Sequence, residues 1–209
     1  MARNRWDERY DQDEFVYGTE PNTFLKEQVE ALFRSGNGKT KTALCLADGE
    51  GRNGVFLARS GFEVTSVDNS SVGLEKAEKL AEDNGVSITT VCADLAEYDI
   101  GEQKWNLIVS IFCHVPPQIR KKLHVTIHKA LKPGGIFLLE AYTPHQLGRE
   151  TGGPPTVDLM MDIPLLKSEL TGLTFSLLQE LERDITEGSL HTGIGAVVQA
   201  ICRNMLFQE

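Results

Sequence analysis

Residues 43–68 contain the pattern that most restricts the possible folds of this chain. A short apolar run, Ala43–Ala47, leads into the glycine loop GEGRNG at residues 49–54. An amphipathic segment follows, and a second apolar run, Phe62–Asp68, ends in a carboxylate. Glycines after a strand let the backbone turn tightly and approach a ligand closely. The pattern therefore predicts a strand–loop–helix–strand unit with a ligand at the loop.

The same alternation of apolar runs and helical periodicity continues to residue 142. It predicts a helix over Ser71–Asn84, strands over Ile88–Cys92, Trp105–Phe112 and Ile136–Tyr142, and a helix that begins at Pro117 and ends at LKPGG, residues 131–135. Strands joined by helices of this length form parallel sheets with right-handed crossovers. We therefore expect a Rossmann-like, doubly wound α/β fold.

The residues after 142 predict a different ending. A helix is expected near Ile163–Leu170, and the extended segments Phe175–Ile185 and Gly193–Arg203 lie only a few residues apart. Two such neighbours pair as an antiparallel hairpin. The expected sheet is thus mostly parallel and seven-stranded, with an antiparallel C-terminal hairpin.

Length and charge narrow the class of protein. The 209 residues suit a single domain, which we divide into an N-terminal helical cap (1–36), a ligand-binding core (43–142) and a substrate-side region (143–209). A net charge of −9 argues against a nucleic-acid partner, which needs a basic face. No apolar run approaches 18 residues, and the first residues lack the apolar core of a signal peptide, so we expect a cytoplasmic protein without a membrane partner. The oligomeric state stays open.

Four cysteines are spread through the apolar segments: Cys45, Cys92, Cys113 and Cys202. None has C-x-x-C spacing, which favours reduced core thiols over a disulfide framework or a metal site. We expect no bound metal.

The glycine loop alone does not identify its ligand. Asp68 lies about 20 residues from the loop, at the end of the second predicted strand, where a carboxylate can accept both hydroxyls of a ribose. NAD and S-adenosylmethionine both carry a ribose. Asp68 therefore fits either ligand, and it could also be a simple helix-capping aspartate.

Further motifs occur in order with this loop. They are ADGEG at 47–51, Asp68, ADL at 93–95 and LKPGG at 131–135. On these motifs residues 44–142 resemble the core of class I S-adenosylmethionine-dependent methyltransferases. The segments GEGRN, W-x-x-R-Y from Trp6 and YGTEPN from Tyr17 resemble, more narrowly, the small tellurite-resistance and thiopurine-type methyltransferases. Ala47 departs from the first glycine of that motif, and as an alanine it is expected to adopt a negative φ.

The resemblance implies a set of cofactor contacts. They are Trp6, Tyr10, Tyr17, Gly18, Ala47, Asp48, Gly49, Glu50, Gly51, Asn53, Asp68, Asn69, Ala93, Asp94, Leu95, Ile111 and His114. Gly49 and Gly51 would lie against the methionine part and the ribose, and Asp68 would hold the ribose. Asp94 would contact the adenine amine. The N-terminal aromatic residues would close over the cofactor, although they could equally serve as a hydrophobic staple for the first helix.

Candidate catalytic and substrate residues lie farther along the chain. His114 follows the fourth strand, and the resemblance places His191 against the substrate; both are candidate catalytic histidines. Arg149, in the Gly/Pro-rich loop 148–155, is a candidate for meeting an anionic acceptor. That loop is a candidate lid. The basic helix face with Arg120, Lys121, Lys122 and His124 is expected to face solvent.

The sequence therefore predicts S-adenosylmethionine-dependent methyl transfer to a small molecule, with a thiol or a chalcogen oxyanion as the first acceptor to consider. Two alternatives remain open at this point. One is an NAD(P)-dependent oxidoreductase, although no Y-x-x-x-K pair follows the fourth strand. The other is a non-catalytic methyltransferase-like domain that binds the cofactor or a protein.

Overall fold

The structure is a computed structural model that describes residues 4–33 and 40–205. Its helices are α1 Arg5–Tyr10, α2 Thr23–Phe33, α3 Arg52–Arg59, α4 Ser71–Asp83, α5 Pro117–Ala130 and α6 Ile163–Glu169. Its strands are β1 Lys41–Leu46, β2 Phe62–Asp68, β3 Thr89–Cys92, β4 Trp105–Ile111, β5 Leu131–Tyr142, β6 Thr174–Glu187 and β7 His191–Arg203. Short 3₁₀ turns cover Pro144–Gln146 and Val157–Leu159.

The strands of the described residues form one seven-stranded sheet in the order β3-β2-β1-β4-β5-β7-β6. The first five strands in the chain pair in parallel. β7 pairs antiparallel with both β5 and β6. The expected mostly parallel sheet with an antiparallel C-terminal hairpin is confirmed. The division of the chain into three regions stays a prediction, and residues 1–3, 34–36 and 206–209 of its outer regions lie outside the described residues.

Apolar side chains pack on both faces of the sheet. On one face Ile108 and Phe137 contact a cluster that includes Leu123 of α5 and Leu166 of α6. On the other face α2 and α3 pack their own apolar side chains, among them Leu25 and Leu57, against the sheet. This three-layer arrangement leaves the carboxyl ends of β1, β2, β3 and β4 together at one edge.

The expectation of a solvent-facing basic surface on α5 is wrong for two of its residues. Arg120 and His124 are buried, and both contact Glu169 of α6: Arg120 Nε lies 3.2 Å and His124 Nδ1 2.8 Å from Glu169 Oε2. Burial raises the pKa of Glu169, but hydrogen bonds from His124 and Arg120 outweigh it, so the net pKa is lowered. Arg120 also donates to the carbonyl of Asp158. This cluster fixes α6 and the 3₁₀ turn before it onto α5.

The cysteines are free, and Cys45, Cys113 and Cys202 are buried as expected. Cys92 is an exception to the expectation of core thiols, because it lies exposed at the end of the edge strand β3. Burial raises the pKa of Cys113 to about 12, which makes it a poor nucleophile at neutral pH.

The turn between β1 and α3 corrects the expectation for Ala47 and gives a packing reason for a nearby glycine. Ala47 adopts φ +51°, not the expected negative φ, so the loop imposes a left-handed conformation on a residue with a Cβ. Gly51, at φ +84°, is a glycine for a packing reason: an ideal Cβ there would lie 2.4 Å from Ala77 Cβ on α4. The close approach of loop and helix therefore requires a glycine at position 51, and its predicted contact with the cofactor stays a prediction.

Asp48 holds this turn together from inside. Its Oδ2 accepts hydrogen bonds from Ser66 Oγ (2.6 Å) and from the amide of Gly54 (3.2 Å), and so joins the loop to β2 and α3. Burial raises the pKa of Asp48 to about 6. The carboxyl group therefore changes charge in a mildly acidic range.

We expect Ala47→Gly to raise the free energy of unfolding. The left-handed conformation destabilises the folded state by roughly 1–2 kcal/mol when the residue is alanine, and glycine removes that strain. Glycine also has more conformational entropy in the unfolded state, which reduces the gain in stability by about 0.4–1 kcal/mol. Urea denaturation should give a net stabilisation of about 0.5–1 kcal/mol. Ala58→Gly in α3 is the control and should lose about 1 kcal/mol; equal losses in both variants would contradict strain at Ala47.

We expect Asp48→Asn to change how stability depends on pH. The pKa of Asp48 is higher in the folded state, so its protonated form stabilises the wild type below pH ~4, and that contribution is lost as pH rises through ~6. Asparagine does not titrate. Between pH 4 and pH 7 the variant should therefore gain on the order of 2–3 kcal/mol relative to wild type.

Urea titrations at pH 4, 5.5 and 7 measure this difference. Asp83→Asn, which removes the same charge from an exposed position at the end of α4, controls for net charge. A stability difference between Asp48→Asn and wild type that is the same at all three pH values would show that Asp48 does not titrate in this range.

Candidate active site

A cavity of about 370 Å³ opens at the carboxyl ends of the first four parallel strands. Of the predicted cofactor contacts, all line this cavity except Gly49 and Gly51. Both predicted histidines, His114 and His191, also line it. A cavity of this size, at this position in a doubly wound sheet, suits one small organic ligand.

Asp68 lies at the rim of the cavity, at the last position of β2. Its Oδ2 accepts from the amide of Gly49 (2.9 Å), and its Oδ1 accepts from the amide of Ser70 (2.9 Å). Burial raises its pKa, and the two amide hydrogen bonds oppose that rise. Each carboxylate oxygen can accept a second hydrogen bond, so Asp68 can hold a pair of ligand hydroxyls while it fixes the glycine loop.

The N-terminal helix α1 covers this end of the cavity with aromatic side chains. Trp6 stacks on Tyr10 at 5.9 Å between ring centroids, and the guanidinium of Arg9 lies 5.0 Å from the Trp6 ring. Tyr10 lies against two glycines: an ideal Cβ on Gly49 or Gly73 would come within 2.8 Å of it. Gly49 is therefore needed to admit the Tyr10 ring over the loop.

Lys76 of α4 fixes the segment that follows α1. Its Nζ donates to the carbonyls of Gln12 (3.0 Å) and Glu14 (2.6 Å) and forms an ion pair with Glu50 of the glycine loop (2.5 Å). Asp7 of α1 accepts from Ser70 Oγ (2.8 Å). The aromatic cover is thus bonded to the same loop and helix that form the floor of the site.

Two neighbouring strand ends supply the side of the cavity next to Asp68. Asn69 follows β2, and Ala93, Asp94 and Leu95 follow β3. Asp94 is exposed, and its Oδ1 accepts from the amide of Ala96 (2.8 Å). Its second carboxylate oxygen is available to accept from a ligand amine.

The opposite side of the cavity is aromatic. Phe112, which the sequence did not single out, follows β4 with φ +51°. Its ring stacks on Tyr142 (4.6 Å between centroids) and meets His191 edge-on (5.0 Å). A bulky residue held in this strained region of φ is uncommon and often marks a functional site.

His114 has a backbone partner on each ring nitrogen. Nδ1 lies 2.8 Å from the carbonyl of Leu159, and Nε2 lies 3.4 Å from the amide of Tyr142. The carbonyl can only accept, so Nδ1 carries the hydrogen and Nε2 is the acceptor. Burial lowers the pKa of His114 to about 4. These contacts fit a neutral wall residue better than the proton acceptor considered from the sequence.

His191 has a freer imidazole. It is the first residue of β7 and is 9% exposed, so it is not a solvated turn residue. Its ring lies 4.7 Å from Tyr17, and its Nδ1 has no hydrogen-bond partner among the described residues. Burial, followed by the charge of Arg52, lowers the pKa of His191 to about 3. The ring is therefore uncharged at neutral pH.

A buried ionic network lies beneath this aromatic wall. Glu187, at the end of β6, accepts from Arg52 of α3 (2.5 Å) and from Arg183 (2.9 Å). Arg183 also binds Glu140 of β5 (2.5 Å), and Asn22 donates to both glutamates. Burial raises the pKa of Glu187, but the charge of Arg52 and the hydrogen bond from Arg183 outweigh it, and the net pKa is lowered. The network joins the glycine-loop helix to the hairpin that carries His191.

The prediction that Arg149 meets an anionic acceptor is wrong in its placement. Arg149 does not line the cavity; it forms an ion pair with Glu182 (2.5 Å) and donates to the carbonyl of His145. The cations that line the cavity are Arg5, Arg9 and Arg52. The sequence analysis did not name Arg9 as a site residue, although Arg9 lies in the W-x-x-R-Y motif. Residues three apart on a helix share a face, so its spacing from Trp6 could have identified Arg9 as a neighbour of the predicted cofactor contact.

The candidate lid is placed next to the cavity. Gly153, Pro154 and Pro155 line it, together with Leu159.

Within residues 4–33 and 40–205 no group of three or more His, Cys, Asp or Glu side chains is arranged to hold a metal ion. No helix in that part of the chain is long and apolar enough to cross a membrane.

Comparisons with known proteins agree with this geometry. Residues 43–135 match the family described as "Methyltransferase domain". The chain is 30% identical over 96 residues to the uncharacterized methyltransferase YbaJ of Bacillus subtilis (strain 168), which is 46% of this chain and 38% of that protein. The chain spans less than two fifths of the length of the curated relatives that it matches.

Solved structures show the same fold at low sequence identity. TehB from Haemophilus influenzae has a TM-score of 0.70 at 16% identity, over 95% of this chain and 65% of that one. N-methyltransferase NodS from Bradyrhizobium japonicum WM9, solved with S-adenosyl-L-homocysteine, has a TM-score of 0.68 at 14% identity, over 95% and 96%. Residues 43–135 therefore match a methyltransferase domain, and the chain shares the fold of these solved structures.

Proposed function

We propose that this protein binds S-adenosylmethionine in the described cavity and transfers its methyl group to a small-molecule acceptor. The observation that carries the proposal is the pair of carboxylates Asp68 and Asp94, which follow neighbouring strands and line one side of the same cavity. Asp68 is assigned to the ribose hydroxyls, and Asp94 is assigned to accept a hydrogen bond from the adenine amine.

The remaining cavity residues fit the rest of that molecule. Tyr10 and Trp6 cover the site with aromatic faces, which attract a cationic sulfonium. Arg9 lies in the cavity, and no ion pair links it to a carboxylate among the described residues. We assign its guanidinium to the carboxylate of the methionine part.

When bound, the cofactor supplies a methyl group whose bond to sulfur breaks, with its electron pair left on sulfur, as an acceptor lone pair forms the new bond. The protein's task is mainly alignment, which can contribute ~7–11 kcal/mol. A general base adds about 10²- to 10⁴-fold. His191 lines the cavity with an uncharged imidazole that can accept a hydrogen bond from the acceptor and orient its proton.

The aromatic side of the cavity is the proposed acceptor site. Phe112, His114, His191 and Tyr17 line it, and the loop 153–155 covers it. The four carboxylates that line the cavity, Asp48, Glu50, Asp68 and Asp94, all follow β1, β2 or β3. A cationic amine thus finds no counter-charge on the acceptor side, and a soft nucleophile, a thiol or a chalcogen oxyanion, fits better.

We expect calorimetry to detect binding of S-adenosylmethionine and S-adenosylhomocysteine but not of NAD. Asp68→Ala should abolish measurable binding, because it removes the ribose contact and releases the amide of Gly49. Since that change also loosens the loop, Asp94→Ala is the sharper variant. It should weaken binding at least tenfold, because only a ligand contact and one local hydrogen bond are lost.

Asp99→Ala is the matched control for Asp94→Ala. Asp99 is also exposed, and its Oδ1 accepts from the amide two residues on (2.9 Å), but it does not line the cavity. Its removal should leave the affinity unchanged. Binding of NAD but not of S-adenosylmethionine would contradict the proposed function, and equal affinities in the Asp94 and Asp99 variants would contradict the assigned adenine contact.

We expect turnover on a panel of thiols, selenite and tellurite to depend on His191. Release of S-adenosylhomocysteine is the measurement, and His191→Asn should lower kcat at least tenfold because it alters the imidazole that meets the acceptor. With a pKa near 3, His191 is neutral throughout pH 5–9, so wild type and variant should share one profile shape in that range. His145→Asn, at an exposed position, is the control; equal rates for all three proteins would make His191 a structural residue.

A further inference from the structure

Two buried polar atoms behind the aromatic wall have no hydrogen-bond partner among the described residues. They are Tyr142 Oη and His191 Nδ1. Tyr142 is fully buried and His191 is 9% exposed, and their ring centroids lie 5.4 Å apart with the rings perpendicular. A buried hydroxyl or ring nitrogen without a partner costs stability, so each such atom needs an explanation.

A short glycine segment lies over these two side chains. An ideal Cβ on Gly152 would come within 3.1 Å of Tyr142 Oη and 2.8 Å of His191 Cδ2, and one on Gly153 within 3.2 Å of the Tyr142 ring. Both glycines have φ near +100°, a conformation that residues with a Cβ rarely adopt. Gly153 itself lines the cavity. Glycine backbone therefore separates Tyr142 Oη from the acceptor side.

This segment is held by a few neutral hydrogen bonds. Gln146 Nε2 donates to Thr151 Oγ1 and to the carbonyl of Gly152, each at 2.9 Å, and Gln146 Oε1 accepts from the amide of Ala196 (2.8 Å). Loops tied in this way are the parts of a fold that open at low free-energy cost. A small shift of Gly152–Gly153 joins Tyr142 Oη to the cavity.

We propose that Tyr142 and His191 together bind the reacting group of the acceptor, reached when Gly152–Gly153 shift, and that this group is a protonated thiol or hydroxyl. The inference rests on the proposed function and narrows its acceptor class. The Tyr142 hydroxyl donates a hydrogen bond to the sulfur or oxygen of the acceptor. The His191 imidazole accepts a hydrogen bond from the S–H or O–H of that same group. Tyr142 is a positioning residue for this group beside His191.

The charges around the pair favour a neutral group over an oxyanion. Arg52 is paired with Glu187, Arg183 with Glu140 and Glu187, and Arg149 with Glu182. Burial raises the pKa of Tyr142 well above neutrality and lowers that of His191 to about 3, so both side chains are uncharged. Two cations lower the pKa of His191 by their charge: Arg52, which is paired with Glu187, and Arg9, which is assigned above to the methionine carboxylate. Neither is left to balance an anion placed here.

Calorimetry on the full chain loaded with S-adenosylhomocysteine tests the inference. Thiophenol and phenol are the probes, because the neighbouring walls are aromatic, and the thiophenol titration is run at about pH 5 so that the thiol is protonated. Sodium tellurite is the oxyanion. Both aryl probes should bind wild type, and Tyr142→Phe should weaken them at least fivefold while S-adenosylhomocysteine affinity stays the same. Because the variant removes an unpaired hydroxyl, its Tm without ligand should rise by about 2–4 °C.

Tyr98→Phe, a half-buried tyrosine away from the cavity, is the matched control and should leave affinities unchanged. The inference is overturned if Tyr142→Phe binds thiophenol and phenol as wild type does, if neither probe binds wild type, or if tellurite alone binds. Failure of wild type to bind S-adenosylhomocysteine at all would instead overturn the proposed function on which the inference rests.

Discussion

The buried network of Arg52, Glu187, Arg183 and Glu140 is the interaction on which the arrangement of the site depends. The charges of the two arginines and the two glutamates balance. The side-chain amides of Asn22 and Gln199 also donate hydrogen bonds to the carboxylate of Glu140. Removing one member of such a network leaves an uncompensated buried charge, which typically costs ~3–5 kcal/mol. The network is placed where β5, β6 and α3 meet, so the glycine loop and the C-terminal hairpin cannot shift independently. It thereby fixes the separation between the proposed cofactor end and the proposed acceptor end of the cavity.

A second set of contacts fixes the cover of the site. Lys76 donates to the carbonyl of Tyr10 at the end of α1 and to two carbonyls of the segment after it, and it also pairs with Glu50. At the other end of that segment, Ser189 of the hairpin turn donates to the carbonyl of Val16 (3.1 Å), and an ideal Cβ on Gly188 would come within 2.1 Å of it. The N-terminal segment therefore bridges the cofactor loop and the hairpin tip. A displacement of this segment would therefore alter both ends of the cavity.

The sequence predicted the parts of this structure that depend on local pattern. Parallel strands end at one edge, so strand periodicity predicted a ligand site beside Asp68, and the short connection predicted the antiparallel hairpin. Asp94 was placed at that site by the resemblance to methyltransferases. Contacts between distant residues carry no such signal. Arg52 and Glu187 are 135 residues apart, Arg120 and Glu169 are 49 apart, and Arg149 is captured by Glu182, 33 residues away. Arg120 was expected to face solvent and Arg149 to face a ligand, because the sequence does not reveal their partners Glu169 and Glu182.

Backbone strain was the other feature that composition and spacing could not predict. Ala47 and Phe112 both hold positive φ at the ends of adjacent strands, although neither residue type favours it. Their side chains pack where the loop geometry directs them, one toward the cofactor end and one toward the acceptor end. Tyr142 adds a buried hydroxyl without a partner to the same wall. Ala47 and Phe112 line the cavity, so part of this cost lies where a ligand would contact the protein, as expected when stability is lost locally to pre-organise a binding surface. Similar costs occur elsewhere, since Gln103 and Glu150 also hold positive φ and His128 Nδ1 of α5 is also buried without a partner among the described residues.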